Sequence, residues 1–292
     1  MKKHATTILL ILVFVAGLSL LLYPSFSNGW NSFHQSRAIT AYADAVANID
    51  DEEYERIWNS AVAYNQELTR KPFNLNPEGA DLDVYNLLLD VTGTGIMGYI
   101  EIKSINCFLP IYHGTDEGVL QIAIGHIPGS SLPVGGESTH CVLSGHRGLP
   151  SARLFTDIDK LVEGDQFMIR TLDETLTYEV DQILIVLPEE VDALRIEEGK
   201  DLCTLVTCTP YGVNTHRLLV RGHRVETVND LDIRVTADAI QVEPMIVAPI
   251  VAAPMLIILI LMVLLKPTDK SGSDKKQSGK KKRSNKKRSE KT

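Results

Sequence analysis

A mainly β domain, a closed eight-stranded barrel with short helices, an N-terminal helical region and a membrane helix on each flank, is the architecture predicted by this chain of 292 residues. Three observations carry the expectation. Short apolar runs of strand length recur through residues 96–228, separated by turn signals such as His113-Gly114-Thr115, Pro133-Val134-Gly135-Gly136 and Glu163-Gly164-Asp165. Apolar stretches at 5–23 and 245–265 are each long enough to cross a bilayer. A segment of helical periodicity lies between the first stretch and the strands.

The elements follow in order. Residues 1–4 carry Lys2 and Lys3 ahead of the first apolar stretch. No small-x-small cleavage site follows 5–23, so an uncleaved anchor is expected rather than a removable leader. The second stretch, 245–265, holds no charge, and its Pro249 and Pro254 are tolerated in membrane helices. Behind it, the tail 266–292 has 12 Lys/Arg against 3 Asp/Glu and reads as a solvated charge run. Positive charge stays on the cytoplasmic side. Both termini are therefore expected inside a two-pass cell-membrane protein, with 24–244 outside. Removing the tail's +9 and the +2 of Lys2 and Lys3 from the net −8 leaves −19 on the remainder. So acidic a remainder argues against a nucleic-acid partner, while the basic tail suits an anionic leaflet.

Residues 24–95 are expected to form a helical and lid-like region. Ala38, Ala41, Tyr42, Ala45 and Ile49 mark one apolar helix face; Tyr54, Ile57, Trp58, Ala61 and Leu68 mark another. The acidic run 50–53 breaks them into two helices, whose faces are expected to pack on each other. Pro72, Pro77, Gly79, Gly93 and Gly95 make 72–95 a loop with a short helix around 84–89. Strands are expected at 99–102, 108–112, 119–122, 140–144, 166–171, 175–186, 202–207 and 217–224, with one helical insert at 152–161. Eight such strands favour a closed barrel over 96–228, followed by a linker at 229–244.

Four cysteines are present: Cys107, Cys141, Cys203 and Cys208. Cys203 and Cys208 lie five apart on one strand, point to opposite faces and cannot pair. Cys107 with Cys141 is the one disulfide entertained. Cys208 ends an apolar strand beside the turn Thr209-Pro210-Tyr211-Gly212, where a substrate can reach it. His146 sits in Ser144-Gly145-His146-Arg147-Gly148, and an imidazole can give and take a proton near neutrality. Arg217 opens the returning strand with a guanidinium that is always charged. A thiol, a proton carrier and a fixed cation are the parts acyl transfer needs. The other histidines, His113, His126, His140 and His216, are expected to be structural. His140, Cys141, His146 and Cys208 lack zinc spacing, so neither a metal nor a cofactor is expected.

The stretch TLVTCTPYGVNTHRLLVRG (204–222) resembles the sortases. GIMGYIEI (95–102), LPIYHGT (109–115) and SSLPVGGESTHCVLSGHRGLPSARLF (130–155) agree with it. The likeness is to the class C, pilin-polymerising group and covers roughly 37–225, extending to both membrane segments. It implies a sortase-type barrel with Cys208 as nucleophile, His146 as acid/base and Arg217 as oxyanion or substrate-orienting donor. Thr207 is a substrate-binding candidate. Class C members often carry a lid with an Asp-Pro-aromatic motif. Lys71-Pro72-Phe73 lacks the aspartate, which leaves Asp81, Asp83 and Tyr85 as lid candidates. The activity implied is a transpeptidase of secreted pilins with LPxTG-like sorting signals, with a pilin lysine as acyl acceptor. Within the enzyme class, anchoring of proteins to peptidoglycan and hydrolysis of the signal by a thiol endopeptidase are the alternatives. Outside it, the alternative is a non-catalytic membrane scaffold.

Overall fold

In the computed structural model, residues 2–227 are described; the expected linker, second span and basic tail lie outside them. One continuous helix, α1 (Lys2–Ala47), carries the apolar stretch into the folded domain with Pro24 inside it. Among the described residues it is the one helix long and apolar enough to cross a membrane by length and composition. A break at 48–50 leads into α2 (Asp51–Leu68), as the acidic run suggested. Asp50 caps that helix, accepting a hydrogen bond from Glu53 N at 2.8 Å. Its acidic first turn, Asp51, Glu52 and Glu53, complements the helix dipole. A short helix, α3 (Ala80–Leu87), follows the proline-rich loop.

The barrel strands are β1 (Ile96–Ile102), β2 (Cys107–His113), β3 (Ile124–His126), β4 (Thr139–Ser144), β5 (Gln166–Thr171), β6 (Glu174–Val186), β7 (Asp201–Thr209) and β8 (His216–Val225). They close in the order β1-β2-β3-β4-β7-β8-β6-β5. The β2/β3 and β4/β7 pairs are parallel and the rest antiparallel. Alternation decides which side chains fill the interior. On β5, Phe167 and Ile169 turn inward between exposed Gln166 and Arg170. Phe167 stacks on Tyr178 of β6 with ring centroids 5.6 Å apart. Ile100, Ile111, Leu143, Leu205 and Val220 join them in one buried core.

Several expectations need correction. The strand placed at 119–122 is instead the helical turn α4 (Glu117–Leu120), and β3 begins at Ile124. The Asp116 carbonyl accepts from Val119 N and Leu120 N, winding the run into a helix. Gly125 then sets the strand: a Cβ there would lie 2.2 Å from the Gly114 carbonyl oxygen. The insert expected at 152–161 is mostly irregular, with one short 3-10 turn at Ile158–Lys160. Leu154 takes φ +39°, which ends a right-handed helix, and Phe155 is drawn into the core. The α1 and α2 faces also do not simply pack on each other. Tyr42 reaches the barrel, donating to Met97 O at 3.1 Å and accepting from Leu172 N at 2.8 Å. From α2, Ala61, Ile57 and Trp58 join the barrel core, and Asn65 brackets Leu132 through its N and O atoms. Ala41 is exposed, with Gln35 and Ile39 taking its place on the docked face.

The one disulfide entertained does not form, and Cys107 and Cys141 are both buried. All four thiols are free, and Cys141 lies opposite Cys203 in the β4/β7 register, not near Cys107. In the barrel order β3 separates β2 from β4, which puts Cys107 and Cys141 on different sides of that strand.

Candidate active site

Two crossings bring the site together at one end of the barrel. Cys208 and Arg217 are direct partners in the antiparallel β7/β8 register. Directly opposed side chains on such a pair sit about 4.5–5.5 Å apart at Cβ. On the other side of β7, the parallel β4 strand ends with Ser144 opposite Val206. His146 follows Ser144 by two residues and Cys208 follows Val206 by two. Cys208 and Arg217 thus face each other across β7 and β8, His146 lies just past the end of β4 on the other side of β7, and all three residues are half-buried. Cys107, Cys141 and Cys203 are buried, whereas Cys208 is accessible. Alternation along β7 turns Cys203 into the barrel and Cys208 outward.

Local contacts hold each group. Gly145 N donates to Val206 O at 3.0 Å, and the Thr207 hydroxyl donates to Gly145 O at 2.7 Å. These two bonds tie the residue before His146 to the residues before Cys208. Only glycine fits at 145: a Cβ would lie 2.6 Å from Ile124 Cδ1 and 2.7 Å from Phe155 Cδ2. Beyond it, Phe155 N donates to His146 O at 3.1 Å. On β8, the Arg217 guanidinium donates to Asn214 O at 3.3 Å and His216 O at 3.2 Å, which ties it to the turn before the strand.

The outer face of β4, β7 and β8 extends from the site as an apolar trough. Val142, Val206 and Leu219 form its floor and Leu194 a wall; Val206 is two residues from Cys208 and Leu219 two from Arg217. A strap from the proline-rich loop lies on it through Phe73 and Leu75. Phe73 is held under Arg195, whose Cζ is 4.6 Å from the ring centroid. Gly129, at φ +81°, admits the strap: a Cβ there would meet Asn74 O at 1.9 Å.

Four expected site residues are placed differently. Thr207 turns into the barrel, 2% exposed, and its hydroxyl holds the carbonyl of Gly145, next to His146. Its odd position relative to Cys208 on an alternating strand dictates this. Tyr85 is fully buried, its hydroxyl 3.0 Å from His126 Nδ1 and donating to His126 O at 3.1 Å. Its apolar ring makes it a core anchor of α3 and not a lid. Asp81 is exposed and paired with Lys71 at 3.1 Å, and Asp83 is exposed on the same helix. The strap on the trough is the segment 73–75 instead, through Phe73 and Leu75.

One further residue was not singled out from sequence. Arg147 pairs with Asp159, donates to Thr209 Oγ1 at 3.2 Å and lies 6.0 Å from the Tyr211 ring centroid. It clamps the loop after β4 to the turn after β7. The proximity of a second cation to His146 was the available signal. His140, expected at a strand start, is buried, with its ring nitrogens bonded to Arg195 O at 2.8 Å and Thr204 Oγ1 at 2.7 Å. Burial pushes its pKa below the ordinary histidine value.

A closed barrel with a half-buried thiol and a guanidinium paired across β7 and β8, and an imidazole just past β4, defines a class of cysteine-containing β-barrel. Comparison with known proteins resolves it further. Residues 100–225 match the Sortase domain family. Sortase C1 of Streptococcus agalactiae is 54% identical, covering 66% of this chain and 100% of its own, with a TM-score of 0.64. A Streptococcus pneumoniae sortase C, whose structure was described in terms of catalysis and pilin substrate specificity, is 42% identical. It covers 65% of this chain and 97% of its own, with a TM-score of 0.59. Sortase D of Bacillus subtilis is 33% identical over 131 residues, 44% of this chain; the chain spans 63% of that relative's length. The chain belongs to the sortase family of cysteine transpeptidases, and these structural relatives are class C sortases.

Proposed function

We propose that this protein is a membrane-anchored, extracellular transpeptidase that joins pilin subunits covalently. The direct pairing of Cys208 with Arg217, with His146 two residues past the β4 strand that flanks β7, is the observation that supports the reading. The Cys208 thiolate attacks the threonine carbonyl carbon of an LPxTG-like sorting signal. The carbonyl oxygen gains negative charge beside the Arg217 guanidinium, where a fixed donor is worth about 10²–10³-fold in rate. His146 protonates the glycine amine as the Thr-Gly bond breaks, leaving a thioester on Cys208. It then takes a proton from a lysine amine of the next pilin. That amine attacks the thioester carbon, the isopeptide bond forms and the Cys208 thiolate leaves beside the reprotonated His146.

The apolar trough suits the leucine and proline of such a signal, and the strap covers it. We assign Phe73 and Leu75 the role of a lid that a signal displaces. Domain roles follow: 5–23 as anchor, 24–95 as helical bracket and strap, 96–228 as catalytic barrel, and 229–244, 245–265 and 266–292 as linker, second span and inner tail. The test is incubation of the full chain with a purified pilin. A ladder of SDS-resistant pilin oligomers is expected. Transfer only to short amines or wall precursors would replace pilin joining with wall anchoring, hydrolysis alone would indicate an endopeptidase, and no turnover by any route would indicate a scaffold.

A further inference from the structure

The helix α1 presents two opposed stripes where it leaves the apolar stretch. One stripe grips the barrel. Asn28 Oδ1 accepts from Arg153 N at 3.0 Å, Asn31 Nδ2 donates to Ser151 O at 2.9 Å, and Gln35 Nε2 donates to Ile122 O at 2.6 Å. Ile39 and Tyr42 continue it into the core. The other stripe is aromatic. Tyr23, Phe26, Trp30 and Phe33 are 56%, 79%, 67% and 57% exposed. At about 100° per residue the centres of the two stripes lie about 200° apart, on opposite sides of the helix. Four large rings in one exposed row are costly in water. They continue directly from the apolar stretch, where amphipathic rings mark the headgroup level of a bilayer.

The heights fit. At about 1.5 Å per residue, Asn28 lies about 7.5 Å beyond Tyr23 along the axis and Asn31 about 12 Å. A headgroup region is about 5–8 Å thick on each side. The aromatic row covers about 15 Å, so it fits that layer only if the helix meets the surface obliquely, rings down and barrel up. Pro24, which lacks a backbone donor, stands where such a bend belongs. The barrel loop gripped at 151 and 153 is the one that carries the site. Phe155, two residues past Arg153, bonds the carbonyl of His146 at 3.1 Å.

We propose that α1 seats the barrel on a phospholipid bilayer: its aromatic row lies among the outer headgroups, and its opposite face holds the His146 loop at the membrane surface. The His146 loop is thereby held at a fixed height above the bilayer. This rests on the reading of α1 as an anchor and of the site as an acyl-transfer centre.

The test uses the full chain in vesicles of phosphatidylcholine and phosphatidylglycerol. The chain has two tryptophans, so Trp58→Phe leaves Trp30 as the reporter. Lipids brominated near the headgroup are expected to quench Trp30 strongly, and lipids brominated near the chain end weakly. Quenching by neither would place the row in water or against a second copy and overturn the proposal, whatever the enzyme's activity. A seven-residue helical insertion between Tyr23 and Pro24 keeps the helix faces and lifts the barrel about 10 Å. Turnover of a vesicle-inserted substrate is expected to fall at least about tenfold, with a soluble peptide processed at the parental rate. Equal parental rates on both substrates would overturn the membrane seat and leave acyl transfer standing. Failure of the unmodified chain on the soluble peptide would instead refute acyl transfer, and Trp30 quenching would still decide the seat.

Discussion

Replacing Phe73 by alanine tests whether the strap gates the trough. The Phe73 ring is half-buried on the outer face of the barrel and lies 4.6 Å from Arg195 Cζ. Full burial of such a side chain stabilises by about 1.5–3 kcal/mol, so half of it contributes about 1 kcal/mol. The cation-π contact adds about 0.5–1 kcal/mol. Losing both weakens strap closure by about 1.5–2 kcal/mol, or roughly ten- to thirty-fold in the opening equilibrium. A peptide that must displace the strap binds with an apparent constant scaled by the open fraction. The expected outcome is a fall in KM of up to about ten- to thirty-fold with kcat unchanged. Phe73→Leu, which keeps apolar contact but loses the ring, should fall between. Initial rates with a quenched fluorescent LPxTG-like peptide and the full chain would measure both constants. An unchanged KM in Phe73→Ala, or a fall in kcat alone, would refute the gating argument.

Other outcomes follow from the same geometry. Thr207→Val leaves Gly145 O without its donor, which costs about 1–3 kcal/mol for a buried group; a lower melting temperature and lower kcat at similar KM are expected, with Thr207→Ser restoring both. Alkylation of the native protein should label one thiol, Cys208, and labelling after denaturation should reach all four; rapid labelling of Cys141 or Cys203 in the native state would contradict their burial. Burial holds His113 and His140 below the ordinary histidine value of 6.5 in the folded state. Below pH 6.5 the unfolded chain therefore binds protons that the folded chain refuses, so their contribution is complete above that pH and lost as pH falls through the lowered folded values. The melting temperature should drop between pH 7 and 5, and a flat profile there would contradict it.

Much of this molecule was legible in its sequence, for identifiable reasons. Seven of the eight strands fall within a few residues of their alternating apolar runs, because a half-buried strand must alternate. The exception, 119–122, is a short apolar run that suits helix or strand equally. Its choice was made by the Asp116 carbonyl and by the tight approach of Gly125 to Gly114, both matters of tertiary contact. Cys208 and Arg217 were readable because a hairpin brings them together across a short turn. His146 was readable as a residue type, but its place past the strand that flanks β7 was not. That depends on parallel pairing between strands some 60 residues apart, Ser144 with Val206. The strap was least legible. A proline-flanked aromatic in a polar loop carries no periodicity, and its partner surface, Val142, Val206 and Leu219, exists only once the barrel has closed.

The central claim is that Cys208 carries the substrate as a thioester. Mixing the full chain with a peptide bearing the sorting signal and quenching in acid should give an intact mass raised by the acyl fragment. Hydroxylamine should discharge that adduct as a hydroxamate ending in threonine, and Cys208→Ala should form neither. An adduct on another residue, or hydroxamate formed as well by Cys208→Ala, would contradict the account.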